Sequence, residues 1–334
     1  MGTIQAIVTL KAKAARTTLL FIIVLLIPIS LTLSTVEIAG TLVIPTDNPT
    51  PLGYTWSLSL FLFPLLILWI WVHRHGLKPI QIKAYYLTIA ILAPIGIILD
   101  LILGNTFFKF ENHGAVSGIV LPAIGGPIPI EEFIFYISGF ALVLLLYLWC
   151  DELWLQSYNR SDRSYAERAT NMSKIFRRCS TPAFLKTLIN VNSLIIAAFL
   201  CLIAIIYKSV ISQSSGFPGY FIFLTLCATT PALALFTTTR RFINWRAFSF
   251  TFFIMVLVSL IWEATLALPY AWWGYQHEMM MGIYISAWHH LPIEAAFLWM
   301  VVTYTTVIVY EAIKLWLAFK EASQSEASNE GNRD

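Results

Sequence analysis

The sequence predicts an all-α integral membrane protein with about eight transmembrane helices, arranged as two parallel four-helix repeats. Three observations support this fold class: the composition, the spacing of the apolar segments and an acidic motif that occurs twice. The 334 residues are 58% hydrophobic and only 12% charged, whereas an ordinary soluble domain has about 25% charged residues. Eight apolar segments are long enough to cross a bilayer. Glu294 and Glu131 are 163 residues apart (294 − 131 = 163). The same shift places the first four apolar segments on or near the last four.

The predicted segments define the domain organisation. They cover residues 17–36, 55–72, 84–103, 133–149, 188–208, 219–237, 247–268 and 295–317. We therefore predict a first membrane repeat (1–150), a cytoplasmic linker (151–187), a second membrane repeat (188–320) and a disordered polar tail (321–334). Because each repeat has an even number of spans, both repeats share one orientation, which makes the repeat parallel and not inverted.

The first segment has two interpretations, because three basic residues precede it: Lys11, Lys13 and Arg16. A signal peptide also has a basic start, but its apolar region covers only about 7–15 residues. The run from 17 to 36 has the length of a full transmembrane helix, about 20 residues. We therefore expect a retained helix.

The positive charges predict the orientation in the membrane. Lys and Arg concentrate at the N-terminus, after the second and sixth segments, in the linker 151–187 and after the eighth segment. The opposite loops contain Lys109 and, at a segment edge, Lys208. Basic loops stay in the cytoplasm, so we predict a multi-pass protein of the cell membrane with both termini cytoplasmic. This distribution, with a net charge of +3, indicates no nucleic-acid partner. The four cysteines form no CxxC pair, so no disulfide framework is indicated.

One acidic motif opens the last segment of each half. The first copy is Pro-Ile-Glu-Glu, ending at Glu131 and Glu132, and the second is Pro-Ile-Glu, ending at Glu294. Another acid precedes each copy at the same spacing, Asp100 before Glu131 (131 − 100 = 31) and Glu263 before Glu294 (294 − 263 = 31). An ionisable residue at membrane depth is costly and marks a functional site by default.

A purely structural reading of the motif is also available. Proline fits the first turn of a helix, and acids there meet the positive end of the helix dipole. The rival reading is a paired-carboxylate site, in which two acids in a poorly solvated pocket do not both ionise. The protonated acid is then available as a general acid. The repetition of the whole pattern favours the second reading.

The stretches before the two motifs, 104–132 and 269–294, differ from ordinary loops. They are apolar, but their glycines and prolines argue against a continuous helix. Non-helical backbone at this depth is buried in protein or lines a cavity. We expect re-entrant or capping elements over a pocket, with a structured external loop as the alternative.

Aromatic residues crowd around the acids and suggest the substrate. Those we predict to bind it are Phe107, Phe110, Trp262, Trp273, Tyr275 and Trp288. Aromatic faces stabilise cations, and an apolar aromatic cavity suits a long hydrocarbon. Together with a buried acid, they indicate a site that protonates an alkene and shelters the resulting carbocation.

A metal site is the competing interpretation of the histidines near the second motif. It would use His277, Glu278, His289 and His290. We favour His289 or His290 as a hydrogen-bond partner of Glu294. The chain has no Gly-x-Gly-x-x-Gly sequence for a nucleotide cofactor. We therefore predict neither a metal nor a cofactor.

The repeated acid, aromatic, glycine-rich and Pro-Ile-Glu-Glu pattern resembles the carotenoid (lycopene) cyclases of the heterodimeric or fused type found in bacteria, archaea and fungi. The resemblance covers about residues 84–150 and 247–317. It implies redox-neutral, acid-catalysed ring closure at the end of an acyclic carotenoid such as lycopene. Glu131, Glu132 and Glu294 would then form the acid–base group, with Asp100 and Glu263 tuning them.

Two features depart from the family pattern. Ala295 stands where the second acid of the motif is expected, and each half has one extra helix. A carotenoid hydratase therefore stays open, as do a transporter and a non-catalytic membrane scaffold. The partners implied are a hydrophobic polyene and the lipid bilayer, with a homo-oligomer as a further possibility.

Overall fold

The computed structural model describes residues 50–74, 77–155, 190–212 and 214–330. Within these ranges the chain has seven helices that are long and apolar enough to cross a membrane. The predicted first segment, 17–36, and most of the predicted linker lie outside the described residues. The chain is therefore a multi-pass membrane protein, and the predicted eighth span and the repeat remain predictions.

The helices agree closely with the other seven predicted segments. Their bounds are α1 Gly53–Arg74, α2 Pro79–Phe107, α3 Ile130–Trp154, α4 Val191–Ser212, α5 Gly219–Thr239, α6 Trp245–Ala267 and α7 Glu294–Glu330. Helix α7 continues to Glu330, into the tail that the sequence predicted to be disordered from residue 321.

Local sequence explains several helix ends. Helix α2 starts with Pro79, whose missing N–H has no helical partner at that position. The Lys78 backbone N–H is satisfied by the Gln81 side chain at 2.8 Å. Helices α3, α4 and α6 each end in a π-helical turn. In α6 this turn begins at Glu263, one of the predicted site residues.

Helices α3 and α7 form the centre of the bundle. Helix α3 packs against α1, α2, α6 and α7, and α7 packs against α2, α5 and α6 as well. Helix α4 packs on the outside of α5. Helix α3 is the most buried of the seven, whereas α1, α2 and α4 expose large apolar side chains, as lipid-facing helices do.

The loops before the two motifs contain short strands, so the all-α prediction needs a local correction. The strands are β1 Phe108–Lys109, β2 Val120–Ala123, β3 Gly126–Pro129, β4 Gly274–Tyr275, β5 Tyr284–Ile285 and β6 Leu291–Pro292. They form three antiparallel pairs, β1–β4, β2–β3 and β5–β6. The first pair joins the two halves of the chain.

The β2–β3 hairpin folds back along α2. The Ile124 N–H at its tip donates to the Leu101 carbonyl of α2 at 2.9 Å. The Asn105 amide donates to the carbonyls of Ile124 and Gly126 at 3.1 and 2.8 Å. The hairpin tip therefore reaches a point about six residues before the end of α2. This corresponds to roughly 9 Å along the helix axis, at about 1.5 Å per residue.

A buried ionic cluster, which was not predicted from the sequence, lies at the opposite end of the bundle. Lys314 and Glu311 of α7 form an ion pair at 2.7 Å, with side chains 2% and 0% exposed. The Tyr147 hydroxyl of α3 donates to the same Glu311 oxygen at 3.2 Å. Asp151 is buried beside them, and neither of its oxygens accepts a hydrogen bond of normal geometry, although the Asn244 amide lies close by.

Candidate functional site

The bundle contains a cavity of about 490 Å³ between α2, α3, α5 and α7. Its walls are overwhelmingly apolar. Along α2 it reaches from Ile91 to Phe107, a separation of roughly 24 Å along the helix axis. This modest volume spread over such a length makes the cavity a narrow groove.

Asp100 is the one carboxyl group among the described residues that line the groove. It is 5% exposed and accepts a hydrogen bond from the Tyr136 hydroxyl at 3.3 Å. Its second oxygen has no hydrogen-bond partner among the described residues. Gly104 lies one turn later, and a Cβ there would stand 2.6 Å from the Asp100 Oδ1 atom. The small residue therefore makes room for the carboxyl group.

Glu132 lies behind Asp100, away from the groove. It is buried and accepts a hydrogen bond from the Tyr54 hydroxyl at 2.5 Å. Asp100 and Glu263 both lie close enough to Glu132 to interact with it electrostatically. Acids from both halves of the chain thus come together at the loop end of the bundle.

Glu131 and Glu294, the two equivalent motif acids, face the loops instead. Glu131 accepts hydrogen bonds from the Thr55 hydroxyl and from the Ser117 backbone N–H, each at 2.6 Å. Glu294 accepts one from the Met281 backbone N–H at 2.5 Å. In both halves the first motif acid therefore holds the loop that precedes it.

The predicted hydrogen bond between Glu294 and His289 or His290 is wrong. The loop places both histidines at positive φ, 53° each. One Glu294 oxygen accepts from the Met281 N–H instead, and the other has no hydrogen-bond partner among the described residues. Lys208 stabilises the same loop, because its buried ammonium donates to the carbonyls of Glu278 and Met280 at 2.5 Å.

Glu263 is enclosed by hydroxyl groups. It is 3% exposed, and it accepts hydrogen bonds from Ser259 at 2.7 Å and from Tyr275. Burial and the neighbouring Glu263 charge raise the pKa of Tyr275 well above its usual value. The Tyr275 hydroxyl therefore keeps its proton and acts as a donor to Glu263.

The predicted aromatic residues have different environments. Phe107 lines the groove. Trp262, Trp273 and Tyr275 are buried in the loop-end core, with Phe110 and Trp288 packed against it. Three tyrosines beside the acids were not predicted from the sequence: Tyr54, Tyr136 and Tyr220. Tyr136 could have been identified from the sequence, because it lies one helical turn after Glu132 and therefore shares its helix face.

The region of the second half that corresponds to the groove has a different lining. Trp299 occupies the position equivalent to Tyr136 in the predicted repeat (136 + 163 = 299). Its ring contacts Phe61 and Phe135 at centroid distances of 6.1 and 5.8 Å. The same two rings contact Trp262 at 5.0 and 5.2 Å. Aromatic side chains fill this region, so Glu263 is sealed off whereas Asp100 meets the groove.

The described residues contain no group of three or more His, Cys, Asp or Glu side chains placed to hold a metal ion. His277 makes a 3.1 Å hydrogen bond with the Tyr284 hydroxyl. Burial, with the positive charge of Lys109 adding to it, lowers the pKa of His277. This histidine is therefore a poor cation at neutral pH.

Comparison of the chain with protein-family models, with curated proteins and with solved structures finds no match in any of the three. The resemblance to carotenoid cyclases therefore stays a prediction carried by the motif residues, and the site itself carries the functional argument.

Proposed function

We propose that this protein is a membrane enzyme that protonates the end of a long acyclic polyene, such as lycopene, and closes it into a ring. One observation carries the proposal: Asp100 is the single carboxyl group in the described lining of a long apolar groove. A carboxyl group in apolar surroundings favours its protonated form. It can then donate a proton to an alkene that packs against it.

The shape of the groove supports a linear hydrocarbon substrate. Its length of roughly 24 Å along α2 suits an extended chain better than a compact molecule. Ile91 and Ile95 belong to its lining and are 45% and 48% exposed on the lipid side of α2. A polyene dissolved in the bilayer therefore has lateral access to the groove.

The proposed reaction conserves atoms and electrons. The Asp100 proton forms a C–H bond at the terminal double bond, whose π electrons leave a tertiary carbocation. The neighbouring double bond attacks this cation and forms the ring C–C bond. A base then removes a ring proton, and the released electron pair makes the new double bond. Phe107 and Phe108 lie near the reacting end, where aromatic faces stabilise positive charge.

This proposal gives the five predicted acids different roles. Asp100 donates the proton, and the negative charge left on Asp100 disfavours ionisation of the buried Glu132 behind it. Glu131 and Glu294 hold the two loops. Glu263 is buried and accepts hydrogen bonds from neighbouring hydroxyl groups. The sequence had suggested the reverse order, with the motif glutamates as donors.

We further propose that the two halves are parallel repeats with both termini in the cytoplasm and the motif loops on the other side. The matched loop contacts of Glu131 and Glu294 support the repeat. So does the packing, because α2 and α6 each contact both central helices. The positions of the basic residues support the orientation.

The test is expression in a lycopene-accumulating bacterium, followed by chromatography of the pigments. The wild-type chain should form cyclised product, and Asp100→Asn should lose about 10²–10⁴-fold of the activity. Glu111→Gln is the matched control, since Glu111 is exposed and pairs with Lys109 on the loop surface.

Three outcomes would count against the proposal. Wild-type rates in Asp100→Asn would remove Asp100 as donor. Hydroxylated, uncyclised pigment from the wild type would favour a hydratase that uses the same groove. No conversion of any acyclic polyene would leave the transporter and scaffold readings.

A further inference from the structure

A tyrosine from the second half of the chain completes the groove that holds the first half's acid. Tyr220 lies in the first turn of α5, is 2% exposed and lines the groove together with Asp100. Its ring contacts Phe107 and Phe108 at centroid distances of 4.9 and 5.4 Å. Its hydroxyl group makes no hydrogen bond within the described part of the chain.

Tyr220 also lies within electrostatic reach of acids from both halves. Charge interactions connect it with Asp100, Glu132, Glu263 and Glu294. Its ring contacts that of Tyr275 at 6.5 Å, and the Tyr275 hydroxyl donates to Glu263. The tyrosine therefore connects the substrate groove to the buried carboxyl groups, none of which lines the groove apart from Asp100.

We propose that Tyr220 is a further catalytic residue, the group that takes the proton back from the cyclised cation. This inference rests on the proposed function and adds the second half of the proton cycle. A hydroxyl group is a weak base alone, but a carboxylate behind it can accept its proton as it gains another. The Glu263 carboxylate, contributed by the second half, is suited to this acceptor role.

The proton balance closes over one turnover. Asp100 loses a proton to the substrate, and a ring C–H bond of the cation breaks. That proton goes to the Tyr220 oxygen, the original Tyr220 proton passes to the neighbouring Tyr275 hydroxyl, and the Tyr275 proton passes to Glu263. Reversal of this transfer, from Glu263 through Tyr275 and Tyr220 to Asp100, restores the starting state without any other reactant.

The position of Tyr220 then decides which ring proton leaves, and so where the new double bond forms. Tyr220→Phe keeps the ring and its contacts but removes the hydroxyl group. We expect at least about a tenfold fall in conversion. We also expect a larger share of products with a shifted double bond or an added hydroxyl group, because the cation persists until another base or water reaches it.

The experiment compares the pigment ratios of the wild type, Tyr220→Phe and Glu263→Gln in lycopene-accumulating cells. Glu263→Gln tests the same route without touching the groove, and it should shift the products in the same direction. Tyr85→Phe is the control, since Tyr85 is a buried tyrosine of α2 in the core cluster at the other end; its product ratio should match the wild type.

The outcomes separate this inference from the proposed function. Cyclisation by the wild type with an unchanged rate and product ratio in Tyr220→Phe would overturn the role of Tyr220 alone. A shifted product ratio in Tyr220→Phe but not in Tyr85→Phe would support it, even if protein levels differ, because a ratio does not depend on the amount of enzyme. A wild type without cyclised product would overturn the proposed function, and the role of Tyr220 with it.

Discussion

We expect the stability of the protein to depend on the charge balance of the buried ionic cluster, which lies at the end of the bundle opposite the groove. Asp151 and Glu311 are 1% and 0% exposed, and Lys314 is 2% exposed. Among the described charged groups that interact with Asp151, Lys314 is the single cation. With both acids ionised, the cluster therefore carries one negative charge in excess.

Lys314→Met should be strongly destabilising. It removes the cation and leaves two buried carboxyl groups without a counter-charge, and breaking a buried ion pair from one side costs about 3–5 kcal/mol. Glu311→Gln is the matched variant, since it removes one of the two acids and leaves Asp151 with Lys314. Gln keeps the size of Glu311 and its bond to Tyr147, so we expect a loss of no more than about 1 kcal/mol.

The measurement is the apparent free energy of unfolding of the purified chain in mixed micelles, titrated with a denaturing detergent and followed by tryptophan fluorescence. Lys320→Met provides a control for the loss of an exposed lysine on the same helix, and it should change stability by less than about 0.5 kcal/mol. Equal losses in Lys314→Met and Glu311→Gln would refute the charge argument, as would a loss below about 1 kcal/mol in Lys314→Met.

Three further predictions concern the groove and its loops. Gly104→Ala would place its Cβ 2.6 Å from the Asp100 Oδ1 atom. We therefore expect the free energy of unfolding to fall by about 1–3 kcal/mol and conversion in the pigment assay to decrease. Wild-type conversion would contradict the placement of Asp100. Lys208→Met leaves two loop carbonyls without their 2.5 Å donor, which should cost about 1–3 kcal/mol in the same unfolding titration. Cys227 lines the groove, so a bound polyene should slow its reaction with an apolar thiol reagent, while Cys201 on α4 should react at an unchanged rate.

Much of the fold was predictable because the bilayer imposes a simple rule on helix length and polarity. The seven described helices coincide with apolar segments, since each backbone polar group in lipid needs a partner within its own helix. The cost of burying an acid at membrane depth also marked Asp100, Glu132 and Glu263 as unusual from the sequence alone. These inferences need only local sequence.

The roles of neighbouring acids were not predictable from the sequence. Glu131 and Glu132 are adjacent, but successive residues point about 100° apart on a helix with about 3.6 residues per turn. Glu131 therefore bonds to Thr55 of α1 and to the loop at Ser117, whereas Glu132 bonds to Tyr54 of α1. Which direction faces which neighbour depends on the packing of α3 against α1, and motif spacing contains no information on that packing.

The ionic cluster was missed for a related reason. Lys314 occupies the position equivalent to Asp151 (151 + 163 = 314), so the predicted repeat places an acid and a base at matching sites. Both residues lie at the predicted cytoplasmic ends of apolar segments, where interfacial charges are ordinary. Only the close packing of the two central helices, α3 and α7, makes them a buried group.

The difference between the halves has a consequence for the proposed reaction. Trp299 stands in place of Tyr136, and Ser259 in place of Gly96 (96 + 163 = 259), so Glu263 is enclosed by side chains while Asp100 meets an open groove. If one groove serves each chain, the two ends of a symmetric polyene must react in separate binding events. A one-ended product should then precede any two-ended product in a time course. Two-ended product that forms without this intermediate would contradict a single groove per chain.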